Sequence, residues 1–167
     1  MSTAFGKGGT LVSGNGEQVG CEELAGLDLF GAVMDLVKAR MSFALKNGGD
    51  RLLLMEAHVL RVVHAYGGAT QLDVIRETRR DKAQIGKLIR SLVGRGLLMQ
   101  ERDPQDARRQ RLRLTADGEA LAPRAAAHRA AVAHQLFQGI APGERNSLLA
   151  SLRQLERSLA NDADDGP

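Results

Sequence analysis

The chain has 167 residues, 43% of them hydrophobic and 26% charged, with a formal net charge of +3. At roughly 100–200 residues per domain this is one domain with extensions, and burial of about 70% of the unfolded surface supports a core without a disulfide or a metal. The lone Cys21 excludes an internal disulfide, four histidines without a second cysteine give no zinc spacing, and 3% aromatics without tryptophan exclude base-stacking platforms while leaving duplex DNA open.

Residues 1–20 carry Gly6, Gly8, Gly9, Gly14, Gly16 and Gly20 and read as a flexible arm, without the apolar stretch of about 7–15 residues that marks a secretory signal. No uncharged apolar run reaches the ~18 residues of a membrane span, so a soluble, cytoplasmic protein without a membrane partner is expected. From Cys21 to Leu45, residues Leu24, Leu27, Met34, Val37, Met41 and Leu45 recur at helical steps, and Asn47-Gly48-Gly49 ends that helix. A second helix is expected from about Leu53 to Tyr66, with Val59, Leu60 and Val63 inward and Gly67-Gly68 as its stop.

Thr70 reads as the N-cap of a short third helix, with Asp73 in the capping-box position and Val74 and Ile75 inward. Asp81 caps a fourth, in which Ile85, Leu88, Ile89 and Leu92 form one stripe, ending near Arg95-Gly96. The turn between them, Thr78 to Arg80, makes the pair a helix-turn-helix. Two short strands then flank turn residues Asp103-Pro104-Gln105-Asp106: one near Leu97–Glu101, the other near Arg111–Leu114. Thr115 starts an alanine-rich helix through Ala133 that Pro123 should bend, and Pro142 opens a last helix with Leu148, Leu152, Leu155 and Leu159 on one face. Asn161 to Pro167 forms a short acidic tail.

Charge is concentrated in the middle of the chain. Between Thr70 and Thr115 twelve basic residues face six acidic ones, leaving the remainder of the chain at −3. This is an electrostatic footprint for a polyanion. With the core stripe of the fourth helix turned inward, Lys82, Ala83, Gln84, Gly86 and Lys87 lie on or near its outward face, where a recognition helix meets base edges. Gln84 pairs bidentately with adenine, and Lys82 or Lys87 reaches guanine or a phosphate. Thr70, Arg76, Arg79, Arg80 and Arg111 are assigned to the phosphate backbone, with solvated surface charge as the alternative for the arginines.

The stretch Asp103-Pro-Gln-Asp-Ala-Arg-Arg-Gln-Arg-Leu-Arg-Leu-Thr-Ala-Asp-Gly118, together with Gly68-Ala-Thr-Gln71 and Leu92-Val-Gly-Arg-Gly-Leu-Leu98, resembles the MarR family of winged-helix regulators, named for multiple antibiotic resistance. The similarity covers about Leu27 to Leu159. It implies a mostly α fold with a small β-hairpin wing: a winged helix-turn-helix at 52–114, flanked by dimerisation helices at 21–46 and 115–160, within a single domain over 21–160. It also implies that Arg108 at the wing tip enters the minor groove, steadied by Asp106 and accompanied by Arg109. Ala83 and Gly86 depart from the family pattern, since polar residues are common at those positions, and fewer direct base contacts follow.

The resemblance further implies an obligate homodimer on double-stranded DNA. The leucine stripes of the first and last helices, with Ala125, Ala126, Ala127, Ala130 and Ala131 permitting close helix approach, supply suitable material. Regulators of this type are often released from DNA by small aromatic carboxylates or phenols, for which Arg40, His58, Arg61 and His64 are the expected pocket. The reading is therefore a ligand-responsive repressor on a palindromic operator. Two alternatives are a non-specific architectural DNA binder and a redox sensor built on Cys21, whose neighbours Glu22 and Glu23 disfavour the thiolate such chemistry needs. No nucleophile flanked by a base, phosphate loop or metal motif is present, so no enzyme, cofactor or metal is expected.

Overall fold

The computed structural model describes residues 11–12, 18–103 and 109–164. Among these residues six helices follow one another: α1 (Cys21–Asn47), α2 (Leu54–Ala65), α3 (Gln71–Thr78), α4 (Lys82–Gly94), α5 (Ala116–Phe137) and α6 (Pro142–Asp164). Five short strands accompany them: β1 (Leu11–Val12), β2 (Gln18–Val19), β3 (Ala69–Thr70), β4 (Leu98–Arg102) and β5 (Gln110–Leu114). The mostly α winged-helix fold expected from the sequence is the fold observed.

Local chemistry explains the helix starts. The Thr70 hydroxyl accepts from the Asp73 amide at 3.2 Å while the Asp73 carboxylate accepts from the Thr70 amide at 2.8 Å, a reciprocal cap on α3. Asp81 accepts from the Gln84 amide at 2.8 Å, and Thr115 from the Gly118 amide at 3.1 Å, fixing the first turns of α4 and α5. Glu56 does the same for α2 by accepting from the Leu53 amide at 3.0 Å. Between α3 and α4, Arg79 takes the left-handed conformation at φ 50°, which reverses the chain in the helix-turn-helix.

The sheet has three strands rather than the two of the expected hairpin. β5 is central, pairing antiparallel with β4 and with β3 in the registers Gln100↔Leu112 and Ala69↔Leu112. The additional strand is only two residues long and follows Gly67 and Gly68, both at positive φ, so no alternation of apolar residues announces it. Further differences concern boundaries: α5 passes through Pro123 and continues to Phe137, and α6 extends to Asp164, into the stretch read as an acidic tail. Within the stretch read as a flexible arm, β1 pairs antiparallel with β2.

The core sits inside the winged lobe. Leu45, Leu52, Val59, Leu60, Val62, Val63, Val74, Ile85, Ile89, Leu92, Leu98 and Leu112 are buried together in one cluster. α1 contributes only its last turns to buried positions, through Met41 and Leu45, while Leu27, Leu29, Phe30 and Phe43 are exposed. On α6 the leucines at 148, 155 and 159 are likewise exposed. No helix among the described residues is long and apolar enough to cross a membrane.

Candidate nucleic-acid interface

Burial of Ile85, Ile89 and Leu92 turns the opposite side of α4 to solvent: Lys82, Ala83, Gln84 and Lys87 are exposed and Gly86 is half-buried. These five positions do form one outward surface on the first half of the helix. Gln71 at the start of α3, which the sequence motif Gly68–Gln71 contains but to which no site role was given, joins it by donating from Nε2 to the Lys82 carbonyl at 3.4 Å. A Cβ at Gly86 would lie 3.6 Å from Gln71 Nε2 and 3.5 Å from Arg90 Nη1, an ordinary contact distance, so glycine here is not sterically required.

Beside α4 stands the wing, β4 and β5, whose described part is closed by the Asp103 amide donating to the Arg109 carbonyl at 2.9 Å. Asp106 and Arg108, to which the resemblance gives the minor-groove role, lie outside the described residues. Arg109 is exposed at the edge of the described hairpin. Arg111 donates from Nε to the buried Asp103 carboxylate at 2.8 Å, a bond that sequence spacing did not anticipate. Arg79 donates to Glu156 of α6 at 3.2 Å across two exposed side chains, a contact worth little by itself. Arg76 and Arg80 are exposed, and Thr70 is committed to its cap.

Between α3 and the stem of the wing lies a cleft of about 490 Å³ lined by Thr70, Leu72, Asp73, Arg76, Asp103, Arg109 and Arg111. Hydrogen bonds from Thr70 hold the Asp73 carboxyl below its ordinary range, and Arg76 and Arg111 push the same way. The cleft thus sets two carboxylates, Asp73 capped by Thr70 and Asp103 paired with Arg111, beside the guanidinium groups of Arg76, Arg109 and Arg111.

The four residues expected to bind an effector are not gathered into one pocket. Arg40 donates to Gln135 at 3.4 Å and lines a largely apolar cleft of about 480 Å³ between α1 and α5, with Val33, Leu36, Val37, Val132 and Leu136. His58 contacts Arg61 at 2.7 Å on α2, whereas His64 faces Glu119 of α5 at 3.1 Å. Helical spacing places residues on a face but does not say which neighbouring helix covers it, and so could not separate these three locations.

Burial first, then Arg61 and Arg129, lower the pKa of His58, with Glu77 opposing them. The folded state therefore binds fewer protons here than the unfolded chain. This part of the stability is present above the unfolded pKa of about 6.5 and is lost as pH falls from there toward the folded value. Urea unfolding at pH 7.5 and 5.5 should show the loss, and His58→Gln should shrink the difference between the two pH values; an unchanged difference would remove His58 as its source.

A second buried carboxylate was missed. Asp50, at the α1–α2 turn, is contacted by His128 at 3.0 Å and forms an ion pair with Arg124 at 2.6 Å, both from α5. Arg124 also donates to the Gly48 carbonyl at 3.0 Å. These contacts join the winged lobe to the long helices. Tyr66 donates to Glu77 at 2.6 Å, a bond that raises the phenol's pKa. Cys21 is exposed at the start of α1, and no group of metal-ligating side chains occurs among the described residues.

Comparison with known proteins agrees with this geometry. The winged helix DNA-binding domain family matches residues 54–118. No curated protein sequence matches. Among solved structures, CouR of Rhodococcus jostii bound to p-coumaroyl-CoA is 27% identical, with coverage of 79% of this chain and 89% of its own and a TM-score of 0.69. BpsR of Bordetella bronchiseptica, whose DNA binding is regulated by 6-hydroxynicotinic acid, is 26% identical over 77% of this chain and 91% of its own, with a TM-score of 0.69. MepR of S. aureus, solved in complex with DNA, is 22% identical over 78% of this chain and 94% of its own and has a TM-score of 0.71, a likeness of fold. A helix-turn-helix with an exposed polar face on α4, a three-stranded sheet and long flanking helices give this chain the fold of the MarR-type winged-helix transcription regulators it resembles, with a winged helix DNA-binding domain at residues 54–118.

Proposed function

We propose that the chain is a ligand-responsive repressor that binds a palindromic operator as a homodimer and leaves it when a small aromatic carboxylate or phenol binds. The observation that carries the DNA half of this reading is the outward face of α4, where Lys82, Gln84 and Lys87 stand exposed over a buried Ile85–Ile89–Leu92 stripe. Lysine and glutamine at the front of a recognition helix provide cationic and bidentate amide groups for base edges and phosphates.

Support for the homodimer comes from surfaces left uncovered in the single chain. Leu36 of α1 is 65% exposed and Leu155 of α6 is 56% exposed, and each belongs to a row of apolar residues at helical spacing. A largely apolar cleft of about 480 Å³ between α1 and α5 lies on the same exposed side of α1 as Leu36. A second copy provides both the cleft and the row that fills it, and a two-fold pair suits half-sites about 10 base pairs apart.

Support for the effector comes from the chemistry of ligands that act on or bind BpsR and CouR, a hydroxynicotinic acid and a coumaroyl thioester. In this chain Arg40 at the α1–α5 cleft, and Arg61 in contact with His58 on α2 outside that cleft, offer cations for a carboxylate. His64 is engaged by Glu119 and contributes least.

The deciding measurement is a binding assay on the DNA flanking the protein's own gene, at defined salt and with competitor DNA. Preference for that DNA over random sequence is expected; equal affinity would leave an architectural DNA binder. Arg108→Ala should weaken operator binding by at least the ~1–3 kcal/mol of a good base contact and relax preference at flanking A·T positions, while Gln84→Ala should change preference inside the half-site. Operator binding by Arg108→Ala equal to that of the parent would make the wing tip a passive loop.

A further inference from the structure

The face that carries the recognition helix also holds a carboxylate where simple electrostatics would place none. Asp103 is 8% exposed, at the end of β4, and accepts from Arg111 Nε at 2.8 Å. Arg111 lies in the central strand β5, opposite Glu101 of β4 and Thr70 of β3, on the other face from the buried Leu112. A guanidinium bound through Nε keeps both terminal nitrogens in its fixed plane, so the carboxylate sets the direction in which they point. Arg111 and Asp103 both line the cleft between α3 and the wing stem, together with Arg76 and Arg109.

We propose that this cleft seats one phosphodiester group of duplex DNA, and that Asp103 is the positioning residue that aims the Arg111 guanidinium into it. The inference rests on the DNA-binding reading and sharpens it. Three arginines converge from two elements that flank the recognition helix, which lets one phosphate fix both the angle of α3 and the stance of the wing. A long arginine side chain loses rotamer freedom when it orders on a phosphate; an ion pair already formed in the free protein removes much of that loss. The buried acid thus raises affinity for a polyanion despite its own negative charge.

The sign of the effect separates this idea from bulk electrostatics. Removing an acidic charge from a DNA-facing surface should strengthen binding if only net charge matters. If Asp103 positions Arg111, Asp103→Asn should instead weaken binding about five- to tenfold, roughly the loss of one well-made hydrogen bond. Its log–log salt slope should become shallower by up to ~0.9, the contribution of one phosphate. Arg111→Lys keeps the charge but cannot serve Asp103 and a phosphate at once, and should weaken binding by a similar factor.

The probe is a random-sequence duplex of about thirty base pairs at low salt, where phosphate contacts supply essentially all the affinity and no operator need be known. Failure of the parent protein to bind it would refute the DNA-binding reading as a whole. Binding by the parent together with equal or tighter binding by Asp103→Asn would overturn the positioning role alone. Thermal melting is followed in parallel, and if Asp103→Asn melts early, Arg111→Lys decides: unchanged affinity overturns the proposal, and a five- to tenfold loss supports it. Inorganic phosphate at matched ionic strength should not compete with the duplex; specific competition would mark a site for a free anion and overturn the assignment to DNA.

Discussion

Gly118→Ala is expected to destabilise the protein by about 2–3 kcal/mol, the upper part of the range for forcing extra atoms into a packed site. A methyl group at Gly118 overlaps the Leu97 carbonyl oxygen and comes within 3.2 Å of the Leu114 side chain. The carbonyl cannot retreat cheaply, because it accepts from the Thr115 amide at 3.2 Å while the Thr115 hydroxyl donates to the Gly96 carbonyl at 2.5 Å. Those bonds bind the first turn of α5 to the end of the wing. Helix propensity alone favours alanine over glycine by about 1 kcal/mol, so the sign of the measured change decides which effect wins. Gly86→Ala is the control: it lies in a helix with only ordinary contacts around the new methyl, and should be neutral or mildly stabilising. Urea unfolding of both variants measures the contrast, and a Gly118→Ala protein as stable as the parent would show that α5 docks less tightly than the structure has it.

If the chain is the homodimer proposed above, Leu155→Glu should abolish it at micromolar concentration and lower operator affinity by on the order of 10²-fold, the loss expected when two half-sites are no longer bound by linked modules. Leu155 is exposed on a helix with no buried residue over 142–160, so the substitution should leave the folded lobe intact. In a two-fold pair the change is felt twice, and each buried leucine removed forgoes about 1.5–3 kcal/mol. Light scattering reads the mass and a gel shift reads the affinity. A variant that remained dimeric would move the interface away from α6.

Most helices of this fold were legible because their signals are local. Thr70, Asp81 and Thr115 are caps by residue type and position, and the Ile85–Leu92 stripe has helical spacing; the structure uses all of them as the sequence implies. The outward set on α4 followed by geometry alone. What escaped depends on packing between distant segments. β3 is two residues long and exists only because β5 offers it an edge. The pairs Asp103–Arg111, Asp50–His128 and Arg79–Glu156 join residues whose proximity depends on how strands and helices are placed, which no period encodes. The same limit dispersed the effector residues: Arg40, His58 and His64 carry suitable chemistry, but α5 reaches them at different heights through Gln135, Arg129 and Glu119.

Burial is distributed unevenly along the chain, and so is the free energy of opening. Amides of α2, α4 and β5 sit over side chains that are almost wholly buried, and their hydrogen bonds open only when the lobe unfolds as a unit. α6 and the first half of α1 have no such anchor within their own chain, and a helix held by its backbone alone is marginal in water. Protection against solvent exchange should thus be intrinsic in the lobe, whereas that of α6 and the first half of α1 should depend on what lies against them. In the proposed homodimer, a ligand that loosened α6 and the first half of α1 would alter the distance between the two lobes while leaving each lobe's own fold unchanged.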